Sequence, residues 1–328
     1  MSKIGLKLIN KRIVAGGLAL VTCAVATDAE AIIRRHDVPD EDYLIDEATY
    51  PALTDLLEPG DCMGTLIHPQ FVFTATHCAR HLDVAKGHPL TFNGTEYPVV
   101  EVFEFSANFN QEDISLVKLE ERVLDVDPMA IYRDRDEVDQ VMVLVGRGDT
   151  APGLEGQKQA KTDLKLRRAH NTIKRANDNY LELYFESPDD AGVLELEGAC
   201  GDGDSGAPGF IEGTDGVSRI AGLCSWSDAP KLKDIGKYGS YDYYTRVSTF
   251  EGWVDQIIAD NADEVVDTGD PGEEPDDTGE PIGGGENEGS SDPVLKDEQG
   301  CGCAAPAGAL APGWALLALT MLGFRRRR

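Results

Sequence analysis

At 328 residues the chain is long enough for one large domain or two smaller ones with tails. It is 41% hydrophobic and 27% charged, which is ordinary for a globular protein, but its formal net charge is −29. That acidic balance excludes a nucleic-acid partner, because a phosphate backbone needs a basic surface.

The chain opens on Lys3, Lys7, Lys11 and Arg12, then an apolar core from Ile13 to Ala26, then a small-residue site at Ala29-Glu30-Ala31. Residues 1–31 therefore read as an export signal. About 14 apolar residues are too few to span a ~30 Å hydrocarbon core. A lipoprotein signal ending at Cys23 is the other reading. From Ile32 to Ala262, short apolar runs alternate with Gly, Pro, Asn and Asp. They are Thr65–Ile67, Phe71–Thr74, Val99–Phe105, Ile114–Leu119, Val141–Val145, Tyr180–Phe185 and Ile220–Trp226. Several alternate apolar and polar residues as half-buried strands do, which predicts an all-β barrel or sandwich.

One segment differs. Ser248–Asn261 places Phe250, Trp253, Val254, Ile257 and Ile258 at helical spacing, after a candidate Ser248 cap with Glu251 three residues on. This is expected to be a terminal amphipathic helix. Residues 263–300 follow, rich in Asp, Glu, Gly and Pro, and are expected to form a disordered, self-repelling linker. The last segment, 301–328, carries Cys301, Cys303, an apolar stretch to Phe324 and then Arg325–Arg328. Its length just suffices to cross a bilayer with the arginines on the cytoplasmic side. Of the seven cysteines, Cys62, Cys78, Cys200 and Cys224 lie in the body. Four in an exported chain suggest two disulfides, with buried free thiols as the alternative.

Three segments carry chemistry when taken together. Gly201-Asp202-Gly203-Asp204-Ser205-Gly206-Ala207-Pro208 surrounds a serine with glycines, which permits a tight turn with converging N–H groups. Alone it could equally be a loop or a calcium site. Phe71 to Cys78 runs an apolar strand into His77, a setting that nearby His81 lacks. Asp113 opens the run Asp113–Leu119, where an acid is ordinarily a turn residue. A hydroxyl nucleophile needs a base to take its proton, an acid to orient that base, and donors for the oxyanion.

In the order His, Asp, Ser, these blocks resemble the trypsin-like serine proteases. Thr74-Ala75-Thr76-His77-Cys78, Asp113–Leu119 and Gly203–Pro208 carry the resemblance, with Ala207 in place of a glycine. Cys62–Ile67, Gly146–Thr150 and Ser225-Trp226-Ser227 add to it. It spans about residues 32–262 and implies two antiparallel β-barrels, divided near residue 135, with a C-terminal helix. It implies His77, Asp113 and Ser205 as the catalytic triad of a serine endopeptidase, with the N–H groups of Gly203 and Ser205 as the oxyanion hole. Ser225 supports Asp113, and the backbone at Ser225, Trp226 and Ser227 binds substrate. The disulfides implied are Cys62–Cys78 and Cys200–Cys224, the latter across the wall of the specificity pocket. Ala199 stands where trypsin keeps its pocket aspartate, while Asp242 is placed near the pocket floor, unless it is a solvated turn residue. Cutting after Ala31 makes Ile32 a terminus whose ammonium pairs with Asp204, unless Asp204 only caps a turn. Arg147-Gly148-Asp149 is placed in a strand-end loop rather than in an adhesion motif.

No metal or organic cofactor is implied. A protein or peptide is the expected substrate and a monomer the expected state. The tail resembles MYXO-CTERM-type sorting signals, which implies display at the cell surface or outer membrane or secretion after processing of the tail, with an uncleaved C-terminal anchor as the simpler alternative. Two other classes remain open, a surface pseudoprotease acting as a binding module and an esterase of the same fold.

Overall fold

The computed structural model describes residues 32–108 and 111–263. The export signal, the acidic linker beyond residue 263 and the tail with Cys301 and Cys303 lie outside the described residues. Among the described residues no helix is long and apolar enough to cross a membrane.

The apolar runs become strands of two six-stranded antiparallel barrels. A two-residue strand, β1 (Ile33–Arg34), precedes them. The first barrel uses β2 (Leu53–Asp55), β3 (Met63–His68), β4 (Phe71–Thr74), β5 (Pro89–Phe92), β6 (Thr95–Glu104) and β7 (Ser115–Leu119). Their order is β2-β3-β4-β7-β6-β5, and the edges meet where Thr91 N donates to Thr54 Oγ1 at 3.3 Å. The second barrel draws on β8 (Val141–Gly146), β9 (Arg167–Ala176) and β10 (Tyr180–Tyr184). After the short β11 (Gly198–Ala199), which pairs with β1, come β12 (Pro208–Glu212), β13 (Ser218–Asp228) and β14 (Tyr241–Arg246). It closes in the order β10-β14-β13-β12-β8-β9.

The seam between the barrels explains why the key strands read as unbroken apolar runs. In β4, Phe71 and Phe73 join the cluster of second-barrel residues that includes Leu144, Phe210 and Leu223. Val72, between them, points into the first barrel with Leu66, Val99 and Val117. Alternate side chains of one strand serve two cores, so neither face is free to be polar.

The terminal helix, α2, is preceded by the one-turn α1 (Thr76–Ala79) and spans Val247–Asn261. Its Phe250 and Trp253 pack edge-on against Phe105 of the first barrel, with ring centroids 4.7 and 5.5 Å away. Beyond it, Asp263 bonds Gln70 and Lys118 of that barrel. The expected Ser248 cap is not found: the helix starts one residue earlier, with Arg246 at the cap position and no side-chain cap bond. Ser248 Oγ donates instead to Glu137 Oε1 at 2.6 Å, and Glu251 lies beside Arg133 at 3.2 Å. A fully buried carboxylate outbids a helix end for the hydroxyl, because it has no water to turn to. Glu137 also accepts from Arg246 Nε at 2.9 Å and Nη2 at 2.6 Å. Burial acts to raise its pKa, but the Arg246 and Ser248 hydrogen bonds prevail and lower it.

Removing this carboxylate strands the Arg246 charge. Glu137→Ala is expected to lower the unfolding free energy by about 3–5 kcal/mol, and Ser248→Ala by about 1 kcal/mol, both read from urea denaturation. Equal costs for the two substitutions would show that the ion pair does not dominate.

Candidate active site

Register places the first two groups. Thr74 at the end of β4 pairs with Ser115 at the start of β7. His77, three residues past Thr74, and Asp113, two residues before Ser115, therefore emerge together from one end of the first barrel. His77 Nδ1 lies 2.7 Å from Asp113 Oδ2, and His77 N donates to Asp113 Oδ1 at 3.0 Å. A carboxylate only accepts, so Nδ1 carries the proton and Nε2 is the acceptor. Ser225 Oγ donates to Asp113 Oδ2 at 2.6 Å, and Thr245 Oγ1 donates to the Asp113 carbonyl at 2.9 Å. The Cys62–Cys78 disulfide ties α1 to the start of β3.

Ser205 comes from the second barrel, on the turn between β11 and β12. Gly203 and Gly206 adopt φ of +92° and +79°, the region open to glycine. A Cβ at Gly203 would collide with the Gly60 carbonyl, and one at Gly206 with the Met63 carbonyl and Thr74 Oγ1. The turn is pinned to the first barrel by Cys62 N donating to Gly203 O at 3.0 Å and Met63 N to Ser205 O at 2.8 Å. Among the described residues, Gly203 N and Ser205 N donate to no protein acceptor. Ser205 and the part-exposed His77 line one cavity of about 710 Å³, without a hydrogen bond between their side chains.

Asp204 is fully buried behind that turn. Its Oδ1 accepts from Gly148 N at 2.8 Å and its Oδ2 from Gly201 N at 2.9 Å. Burial pushes its pKa up to about 7. Gly148 belongs to the Arg147-Gly148-Asp149 tripeptide, which thus faces inward rather than outward at its centre. Ile32 and Ile33 are fully buried, and Thr150 Oγ1 donates to Ile32 O. In the full-length chain Ile32 has φ of +66°. For a β-branched residue that is a strained conformation.

A second cavity, of about 190 Å³, opens on the other side of Ser205, between Cys200–Asp202 and Cys224–Ser227. The Cys200–Cys224 disulfide joins these two walls. Asp242 is buried in β14 and lies behind them: its Oδ2 accepts from Cys200 N at 2.6 Å and its Oδ1 from Ser227 Oγ at 2.7 Å. It is not a solvated turn residue, and burial raises its pKa to about 6. Ala199 is not among the lining residues of this cavity; it packs with Ile33, Ala151 and Phe185. Alternation along the short β11 turns Ala199 toward that core. Trp226 lines the cavity and stacks on Tyr243 at 3.8 Å. Nothing in the sequence signals that Gly148 serves Asp204 or that Thr245 serves Asp113, since a backbone N–H has no residue signature and a strand threonine is common. The grouping Cys62, His77 and Cys78 has metal-ligand spacing, but both of its sulfurs are consumed by the disulfide.

The trypsin family profile matches residues 52–254. The chain is 28% identical over 215 residues to the thrombin-like enzyme halystase of Gloydius blomhoffii, covering 62% of this chain and 87% of that protein. It is 26% identical over 222 residues to human kallikrein-5, covering 63% of this chain and 71% of the relative. A mutant of human heparin binding protein overlays with a TM-score of 0.49 at 19% identity, over 67% of this chain and 96% of that one.

Three buried acids shape the pH response. Burial raises Asp204 to about 7, Asp242 to about 6 and Glu197 to about 8. Between the ordinary carboxylate range and these values the folded state holds protons that the unfolded state has released. Their contribution is therefore full below about pH 4 and is lost as pH rises through 6 to 8. Melting of the full-length chain should fall between pH 5 and 8, with a smaller fall in Asp204→Asn. A melting temperature that climbs across this range in the wild type contradicts the assignment.

Proposed function

The chain belongs to the trypsin family, and from that premise we propose that it is an exported serine endopeptidase acting through an acyl-enzyme. The observation that carries the reading is the relay Ser225–Asp113–His77, which ends at a cavity shared with Ser205. Ser205 attacks the scissile carbonyl while His77 takes its proton and returns it to the leaving amine. Asp113 holds the ring and stabilises the imidazolium. The free N–H groups of Gly203 and Ser205 receive the oxyanion, a donor there being worth about 3 kcal/mol. The Ser205–His77 hydrogen bond forms as substrate closes the cleft, since catalytic bonds tighten in the bound complex.

The cavity beside Cys200 and Ser227 takes the side chain that precedes the scissile bond. Substrate backbone adds as a strand along Ser225, Trp226 and Ser227. Asp242 sits just behind the walls and, above its pKa of about 6, makes this pocket attractive to Lys or Arg.

Maturation is cleavage after Ala31. The strain at Ile32, of order 1–3 kcal/mol, disappears when the preceding peptide bond is gone. The new ammonium then pairs with the Asp204 carboxylate, offsetting the cost of burying either charge alone. The two disulfides accord with export. The C-terminal tail attaches the enzyme to the cell surface.

A second reading, a binding module of this fold without turnover, draws on the missing Ser205–His77 bond.

A fluorophosphonate probe should label Ser205 in the wild type and not in Ser205→Ala, whose turnover should drop about 10⁶-fold. An unlabelled, properly folded wild type favours the binding module. Active enzyme should begin at Ile32 on N-terminal sequencing; any other terminus removes the activation step. Among Arg, Phe and Ala reporters, Arg should be preferred at pH 8, and the preference should shrink as pH falls through about 6. Equal rates at pH 8 remove Asp242 from specificity.

A further inference from the structure

Ser205 is the one residue that lines both the 190 Å³ cavity and the 710 Å³ cavity. If the smaller cavity holds the residue that supplies the scissile carbonyl, the larger one receives the chain just beyond the scissile bond. This step rests on the protease reading above. The larger cavity carries two carboxylates, Glu58 and Asp61, together with Leu57, Pro89 and His77. Both acids are exposed, and among the described residues neither has a cationic partner. The basic side chains nearest in the chain to the cavity histidines are already engaged, Arg80 with Glu104 and Lys86 with Asp83.

The turn that bears them is tied to the segments carrying His77 and Ser205. Asp61 N donates to Glu58 O at 2.9 Å, and Cys62, the next residue, is bridged to Cys78 beside His77. Gly60 lies against Gly203, whose carbonyl accepts from Cys62 N. The backbone that carries Glu58 and Asp61 is thus joined to the turn that carries Gly203 and Ser205.

We propose that Glu58 and Asp61 form a leaving-group-side subsite that selects a Lys or Arg within the first two residues after the scissile bond. Two unpaired carboxylates at the rim of a cleft attract a cationic side chain and repel an acidic one. The interaction is with solvent-exposed charges, so it is modest and weakens with salt.

The test uses full-length protein cut to its active form and a set of quenched-fluorescence peptides. All share the same acyl-side residues and carry Lys, Ala or Glu at the two positions after the scissile bond. Active enzyme is counted by fluorophosphonate titration. The Lys peptide should exceed the Ala peptide in kcat/KM by roughly fivefold, the Glu peptide should fall below it, and the spread should narrow from 0.05 to 0.5 M salt. In Glu58→Gln/Asp61→Asn the Lys-to-Ala ratio should approach one. In Glu58→Lys/Asp61→Lys the order should invert, with the labelling reaction reporting that each variant is folded. Labelled enzyme with a flat or unchanged ranking in these variants overturns the subsite. Wild type that neither labels nor cleaves any peptide overturns the protease reading, and the subsite with it.

Discussion

Asp113 is where the two barrels are joined chemically. Its carboxylate accepts from the backbone and ring of His77 on the first barrel and from Ser225 on the second. Its carbonyl accepts from Thr245 of β14, also on the second barrel. A buried acid with this many donors fixes one orientation of the imidazole, and it does so only when both barrels are seated. The seam beneath it, with Phe71 and Phe73 packed among second-barrel side chains, supplies the apolar burial that holds that seating.

The turn bearing Ser205 is constrained from behind in a complementary way. Three segments meet closely here: Gly60, Gly148 and the turn that carries Gly203 and Gly206 all stand where a Cβ would strike another part of the chain. This close approach lets Gly148 N and Gly201 N reach the Asp204 carboxylate, while among the described residues the N–H groups of Gly203 and Ser205 meet no protein acceptor. The cost is a fully buried acid whose burial raises its pKa to about 7. Under the proposed cleavage after Ala31, a free amino group would ease both the positive φ at Ile32 and the protonation of Asp204.

Much of this was legible in the residues themselves. Apolar runs gave the strands, but that Phe71–Thr74 is buried on both faces came only from the packing of two barrels. Three short blocks around His77, Asp113 and Ser205 carried the family resemblance, which the family profile over residues 52–254 bears out. Ser248 misled, because a hydroxyl at a helix start looks the same whether it caps the helix or serves a distant acid. Glu137 lies 111 residues away from it in the chain, and no local pattern announces such a partner. Ala199 misled in a similar way, since one residue along a strand is enough to turn a side chain from a pocket to a core.

The amino-acid order alone determined the periodicities, the cysteine complement and the charge, because these are properties of the residues themselves and of their near neighbours. The fold decided which groups meet: that Asp242 stands behind a disulfide-linked wall rather than in solvent, that Gly148 serves Asp204, and that Glu58 and Asp61 rim the cleft at Ser205. Those facts depend on distances between segments far apart in the chain. Such distances are set by how two barrels pack, and not by any residue's own preference.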